Sequence, residues 1–338
     1  MAKKVSMDDI AKKAGFSKNT VSLSLRGMPG INKDTRAYVL RLAQEMGYHY
    51  KDKNSEKMIT SQHICIIVPT TSNDKQGFFA HIQLGIEQEA RKHHYSTIFY
   101  SYREEDFFEL PLCIRDGIVA GIITVGRISV RTMHIIKQTN LPFVMSDHYF
   151  DTYQEDCVMT DNVLGGDAAT EYLIANGHRD IGFVGDVKAS VSFRDRYTGF
   201  MQAMSRHGFQ VNDRHCITHS GLDRTISETD TLGKFDVEQL KHLPTAFFCT
   251  NDAVAFVLYR TLVQMNIRIP EDVSVIGFDN TESSEMVNPP LSTMSVYKEL
   301  MGKKAFLRLL SKIQEPGMIP ERILIASFLE ERKSVKSI

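Results

Sequence analysis

A small all-α head followed by a larger two-lobed α/β body is the architecture this sequence predicts, and three patterns predict it. The first fifty residues carry helix-period apolar spacing punctuated by glycines. From His63 onward, short apolar runs alternate with helical stripes, as in parallel sheets covered on both faces. That alternation runs to Met145 and restarts near Ala168, which implies two lobes.

In the head, Ser6 can cap a helix over Met7–Lys13, with Ile10, Ala11 and Ala14 on one side and Gly15 ending it. Ser17 then caps a second helix, Lys18–Leu25, whose Val21 and Leu25 lie four apart. Asn32 can cap a third, with Val39, Leu42, Ala43 and Met46 at helical spacing before Gly47. Three short helices, the first two joined by a tight glycine turn, describe a helix-turn-helix unit. Near its N-terminus the second helix presents Lys18, Asn19, Thr20 and Ser22, where backbone N–H groups also favour phosphate. Lysine and asparagine reach base edges, whereas serine, threonine and arginine are typical phosphate ligands. A three-helix protein-binding module is the competing reading of this pattern alone.

Charge favours the nucleic-acid reading. Residues 1–60 hold 12 Lys and Arg against six Asp and Glu, yet the 338-residue chain carries a net charge of −1. A basic end on an acidic body points to a polyanionic partner for that end only.

In the body, ICIIV (64–68), TIFY (97–100), GIITV (121–125) and PFVM (142–145) read as strands. Between them lie a helix marked by Ile82, Ile86 and Ala90, a weak one interrupted by Pro111, and one near 129–138. The second series has a helix over Ala168–Ala175 capped near Asp161 or Asn162, then IGFV (181–184). A stripe of Tyr197, Phe200, Met201 and Met204 follows, then AFFCT (246–250), a helix over Ala253–Met265 and VSVIGF (273–278).

Several function classes find no anchor. There is no G-x-G-x-x-G after the first strand, no G-x-x-x-x-G-K-[ST], no G-x-S-x-G and no H-E-x-x-H. Cys65, Cys113, Cys157, Cys216 and Cys249 are scattered and form no C-x-x-C, so free thiols are expected rather than a disulfide frame or a metal site. His178 follows a helix-ending glycine and reads as structural; His93 and His94 read as surface. An enzyme, a cofactor and a metal are therefore not expected. No apolar stretch approaches membrane-spanning length and MAKKVSMDDI lacks an apolar leader, so the cytosol is the default and a membrane is not expected.

In open α/β sheets ligands bind beyond the carboxyl ends of the strands. Asp147, Asn251, Asp252 and Asp279 stand at such ends, where each is either a cap or turn residue or a ligand group. Together they suit a polyhydroxyl molecule, and Arg196 adds a bidentate donor.

The residues themselves resemble a known family. Asp9-Ile10-Ala11, Ala14-Gly15-Phe16-Ser17 and Thr20-Val21-Ser22 are similar to the opening motif of the lactose/galactose repressor family of bacterial transcription factors. The resemblance continues through DNVLGGDAATEYLIANGHRDIGFVG, PTAFFCTNDAVA, RIPEDVSVIGFDN and PPLSTMSVYKELMGKKA. It implies a periplasmic-binding-protein-like core, with two lobes joined by three crossovers, and a dimer reading a pseudo-palindromic operator in double-stranded DNA. It also implies a small-molecule effector, a sugar or sugar phosphate, and a repressor of carbohydrate-utilisation genes.

Carried over by motif, base reading falls to Lys18, Asn19 and Leu23, the last an apolar departure able to meet a thymine methyl. Phosphate and positioning roles fall to Ser6, Ser17, Thr20, Ser22, Arg26, Asn32, Thr35, Arg36 and Tyr48. The implied effector residues are Phe78, Phe79, Asp147, Ser190, Ser192, Arg196, Asn251 and Asp279, with Ser190, Ser192 and Arg196 from SVSFRDR resembling an inducer-lining segment. Purine-binding members carry arginine where Ser190 stands, which favours a sugar. The leucine-heptad tail of tetrameric members is missing before Ile338.

These readings divide the chain into a head (1–49), a linker (50–62) and a core (63–338). Within the core the N-lobe is expected at about 63–160 and 292–318, and the C-lobe at about 161–291 and 319–338. The linker departs most from the family. Tyr50 and Lys51 replace Pro-Asn, Asn54 replaces alanine, and Lys57 falls where a leucine wedges into the minor groove. A polar linker is expected there, with Met58 a poor wedge. The alternatives are a regulator answering a non-sugar molecule or a partner protein, a transport receptor, which lacks an export signal here, and an α/β enzyme.

Overall fold

The computed structural model describes residues 5–25, 31–46, 48, 62–70, 77–103, 108–218 and 242–338. It divides into two units, Met1–Ser61 and Gln62–Ile338. Arg26 and residues 50–61 lie outside the described residues, and with them the phosphate role expected of Arg26 and the linker positions Tyr50–Met58.

The head contains α1 (Met7–Ala14), α2 (Lys18–Leu25) and α3 (Lys33–Glu45). A capping box starts α1: Asp9 N–H donates to Ser6 Oγ, and Asp9 Oδ2 accepts from the Ser6 N–H at 2.9 Å. Gly15 adopts φ 71°, the left-handed conformation that turns the chain from α1 toward α2. Ile10, Ala11, Val21, Val39, Leu42 and Ala43 form the buried core, with Leu25, Met46 and Tyr48 packed on it.

The body runs β1 (His63–Pro69), α4 (Phe78–Lys92), β2 (Ser96–Tyr102), α5 (Leu112–Arg115), β3 (Gly121–Val125), α6 (Val130–Lys137), β4 (Phe143–Ser146) and β5 (Cys157–Thr160). Then come α7 (Asn162–Ala175), β6 (Ile181–Val184), α8 (Val191–Arg206), β7 (Cys216–Ile217), β8 (Ala246–Cys249), α9 (Asp252–Gln264), β9 (Ser274–Asp279), α10 (Ser283–Met286) and β10 (Ser292–Ser295). It ends with α11 (Lys298–Gln314), β11 (Arg322–Ile325) and β12 (Phe328–Glu330). The first sheet has the order β11-β5-β4-β3-β1-β2, and the second β12-β10-β9-β8-β6-β7. Every pairing is parallel except β10 with β12.

The lobe boundaries differ from the expected ones at two of three crossings. The first falls at Asp161, between β5 and α7. β10 pairs with β9, so residues 292–295 belong to the second lobe, and the chain crosses near Val296 and Tyr297. β11 pairs with β5 in the first sheet, so the last crossing is at Ala326 and Ser327; of the described strands, only Phe328–Glu330 then returns to the second sheet. The reason is physical: backbone pairing assigns a strand to a sheet, and four-residue stretches such as STMS and RILI carry no side-chain period that names their neighbour. CVMT, which forms β5, is equally short and was not expected as a strand.

Each lobe is cemented by a pair of helices whose glycines meet the backbone of the opposing helix. A Cβ on Gly302 of α11 would lie 1.9 Å from the Ile82 carbonyl oxygen of α4, and one on Gly85 would lie 2.1 Å from that of Glu299. In the second lobe, Gly166 of α7 faces the Arg196 carbonyl and Gly199 of α8 faces that of Val163. Backbone contact at both crossings holds each helix pair in one position.

Candidate functional site

The carboxyl ends of the two sheets supply the polar residues of the candidate ligand site. β4 delivers Asp147, held at φ 59° with its N–H donating to the Val158 carbonyl. From the other lobe, Ser192 in the first turn of α8 donates its hydroxyl to Asp147 Oδ1 at 3.4 Å. The two lobes thus meet through predicted site residues.

Arg196, one helical turn further along α8, is 2% exposed and links three parts of the second lobe. Its Nε donates to Asn162 Oδ1 (2.8 Å), Nη1 to the Thr250 carbonyl (2.6 Å) and Nη2 to Asp279 Oδ1 (3.0 Å). The guanidinium also lies 3.7 Å from the Phe278 ring centroid. Burial pushes the Asp279 carboxyl up, opposed by the charges of Arg196 and Lys298. Beside it, Asp252 is fully buried and pushed up to about 7, by burial first and by Asp279 second. Thr293 Oγ1, Thr281 Oγ1 and the Thr281 N–H donate to Asp252, so its position is fixed.

Other expected residues serve local structure as well. Ser190 caps α8 by accepting from the Phe193 N–H, and Asn251 caps α9 by accepting from the Val254 N–H. Phe78 is buried in the core of the first turn of α4, and Phe79 is half-buried against it with ring centroids 5.1 Å apart.

The sequence reading missed Arg127, Asn162, Lys298, Ser146 and Thr250. Arg127 donates across the lobes to the Ala189 carbonyl at 2.6 Å. Lys298, at the start of α11, donates to the Asn280 carbonyl and sits over Phe78. Ser146 and Thr250 close β4 and β8 with buried hydroxyls that take no partner among the described residues. Arg127 and Thr250 follow recognised strands and could have been found by strand-end position; Asn162 follows the unrecognised β5. His178 is buried and bonds to Thr245 Oγ1 and the Lys336 carbonyl, a structural bridge.

In the head, Lys18 and Asn19 are exposed in the first turn of α2, Thr20 and Ser22 half-buried, and Leu23 half-buried beyond them. Ser17 accepts from the Thr20 N–H at 3.1 Å. Lys18 pairs with Asp8 at 2.8 Å, an exposed ion pair weak enough to be exchanged for a nucleic-acid contact. Ser6 is occupied by the α1 capping box, and Asn32 Oδ1 accepts from the Asp34 N–H at 2.7 Å. Thr35, Arg36 and Tyr48 are half-buried along α3 and after it.

The arrangement can bind hydroxyl and amide groups. Among the described residues, no group of three or more His, Cys, Asp or Glu could hold a metal ion, and no helix is long and apolar enough to cross a membrane.

Comparison with known proteins agrees at both ends of the chain. Residues 6–50 match the family described as bacterial regulatory proteins, lacI family, and residues 170–335 match the periplasmic binding protein-like domain. The ribose operon repressor of Haemophilus influenzae is 31% identical over 337 residues, 98% of this chain and 99% of that protein. Among solved structures, a LacI family regulator from Enterococcus faecium with bound ribose has a TM-score of 0.66 at 27% identity, covering 82% of this chain and 99% of that one. The lac repressor dimer bound to operator and an anti-inducer has a TM-score of 0.67 at 21% identity, covering 99% and 100%, a likeness of fold. With a helix-turn-helix head, two mostly parallel sheets and a relative of this identity over its full length, the chain belongs to the lacI family of bacterial regulatory proteins.

Proposed function

We propose that the protein is a cytoplasmic, homodimeric repressor whose operator affinity is set by a sugar bound between its two lobes. The observation that carries the reading is the convergence of Asp147, Ser192, Arg196 and Asp279 at the strand ends of both sheets. Carboxylates, hydroxyls and an aromatic-backed guanidinium are the groups that discriminate sugar hydroxyls. Two similar proteins support ribose as the first probe, one named for a ribose operon and one with ribose bound.

In this reading Lys18, Asn19 and Leu23 read bases, and Ser17, Thr20, Ser22, Thr35, Arg36 and Tyr48 position the head on phosphate. One helix-turn-helix covers one half-site, so two copies are needed for a pseudo-palindromic operator. The sugar switches the protein only if it binds the operator-competent and incompetent arrangements unequally.

The test is operator gel shift under titration with ribose, other pentoses and hexoses, and their phosphates. A change in operator affinity with one sugar is expected, and its loss in Arg196→Ala with operator binding intact. Response to a non-sugar molecule instead would favour the alternative effector, with a purine base tried first because the repressor PurR of Pasteurella multocida is 29% identical.

A further inference from the structure

Next to the candidate ligand site lies a second set of contacts between the lobes that no ligand role absorbs. Two residues beyond Asp147, the Tyr149 hydroxyl donates to both Asp195 carboxylate oxygens, at 3.0 and 2.9 Å. Asp151 receives a bidentate pair from Arg194, at 2.7 and 2.9 Å, and Arg194 Nη2 also donates to the Tyr149 hydroxyl at 3.0 Å. Arg322, which opens β11, stacks its guanidinium 3.7 Å from the Tyr149 ring centroid. Tyr149, Asp151 and Arg322 belong to the first lobe, and Arg194 and Asp195 to α8 of the second.

The arrangement is a built one. Tyr149 is buried, its ring covered by one arginine and its hydroxyl shared between a carboxylate and another. Val191, at the start of α8, packs on the outer core of the first lobe, and Arg127 reaches the Ala189 carbonyl. Along SVSFRDR the roles differ: Ser190 caps α8, Ser192 and Arg196 bond to Asp147 and Asp279 of the candidate ligand site, and Arg194 and Asp195 bond to Asp151 and Tyr149. The bonds from Tyr149 to Asp195, from Arg194 to Asp151 and Tyr149, and from Arg127 to Ala189 exist only while the lobes are together, so they favour the closed arrangement, and Arg322 backs the Tyr149 ring from within the first lobe. Bidentate and shared charge-assisted hydrogen bonds on a buried ring hold a geometry better than a lone exposed ion pair.

We propose that Tyr149, Asp151, Arg194, Asp195 and Arg322 form a clasp that holds the lobes closed without any ligand and sets how readily one enters and leaves. Only the second half rests on the sugar reading; the first concerns the empty protein.

The experiment measures lobe separation in the full-length, sugar-free protein. Encoded spin labels at the exposed residues Gln138 and Gln202, one per lobe, report the distance, with labelled chains diluted into unlabelled copies. Tyr149→Phe removes one hydroxyl and Asp151→Asn one charge, so both variants test the clasp with little risk to folding. Both are expected to raise a longer-distance population at least about fivefold over the parent. With ribose as probe, dissociation should quicken by a similar factor in both. An unchanged distance distribution in both variants overturns the clasp. Lobes that open in the variants yet are closed again by no sugar would uphold the clasp and overturn the sugar reading instead.

Discussion

Arg196 ties Asn162, Thr250 and Asp279 together in the second lobe, and its removal has two consequences that can be separated. Arg196→Ala leaves Asp279 buried beside the already crowded Asp252, and breaking one side of a buried pair costs about 3–5 kcal/mol. Urea unfolding should show that loss, while sugar response disappears in whatever fraction remains folded. Two other buried groups give the core opposite pH dependences. His148 is held down to about 4 by burial and the nearby Arg127 charge, so between about 4 and its ordinary 6.5 the unfolded chain binds the extra proton. Its contribution is therefore present above that window and lost as pH falls through it. Asp252 keeps its proton up to about 7 in the folded state, so its contribution runs the other way, falling as pH rises from its ordinary 3.8. Unfolding measured from pH 4 to 7 should show the parent gaining on His148→Gln as pH rises and losing ground to Asp252→Asn.

At the scale of elements, the crossings of α4 with α11 and of α7 with α8 are set by hydrogen atoms where other residues place methyl groups. Gly302→Ala puts a Cβ 1.9 Å from a carbonyl oxygen, and the helices must separate. Overpacking of this kind costs about 1–3 kcal/mol, and backbone on the opposing side leaves no flexible side chain to yield. Thermal unfolding should show the drop, and Gly166→Ala should reproduce it in the other lobe. In the head, α2 presents Lys18 and Asn19 outward while Val21 anchors it inward. Lys18→Ala or Asn19→Ala should cost about 1–3 kcal/mol at the cognate half-site and leave random-sequence DNA binding nearly unchanged. Equal losses on both DNAs would mean that neither side chain reads bases.

At the scale of the whole molecule, the proposed switch joins a ligand crevice in one unit to a DNA-reading head in the other. Reciprocity follows: a sugar that weakens operator binding must itself bind less tightly when operator is present. Isothermal titration of ribose with and without operator DNA should give the same factor as operator gel shifts with and without ribose. Sedimentation should find the operator complex with two chains, since a single head spans one half-site.

The sequence by itself determined the kinds of element and their order. Helix caps at Ser6, Ser17 and Asn32, glycine stops, and apolar runs of strand length are local signals, because capping and burial periodicity act within a few residues. It also singled out Asp147 and Asp279, since strand ends are where an α/β sheet offers polar groups, whereas Ser192 came from the resemblance of SVSFRDR to an inducer-lining segment. Only the tertiary structure decided which sheet β10 and β11 join, because strand pairing is a backbone contract between segments as distant as Cys157 and Arg322. It alone brought Arg127 to Ala189 and Tyr149 to Asp195. Those contacts depend on how two lobes sit against each other, and nothing local in either segment encodes the partner that the fold delivers.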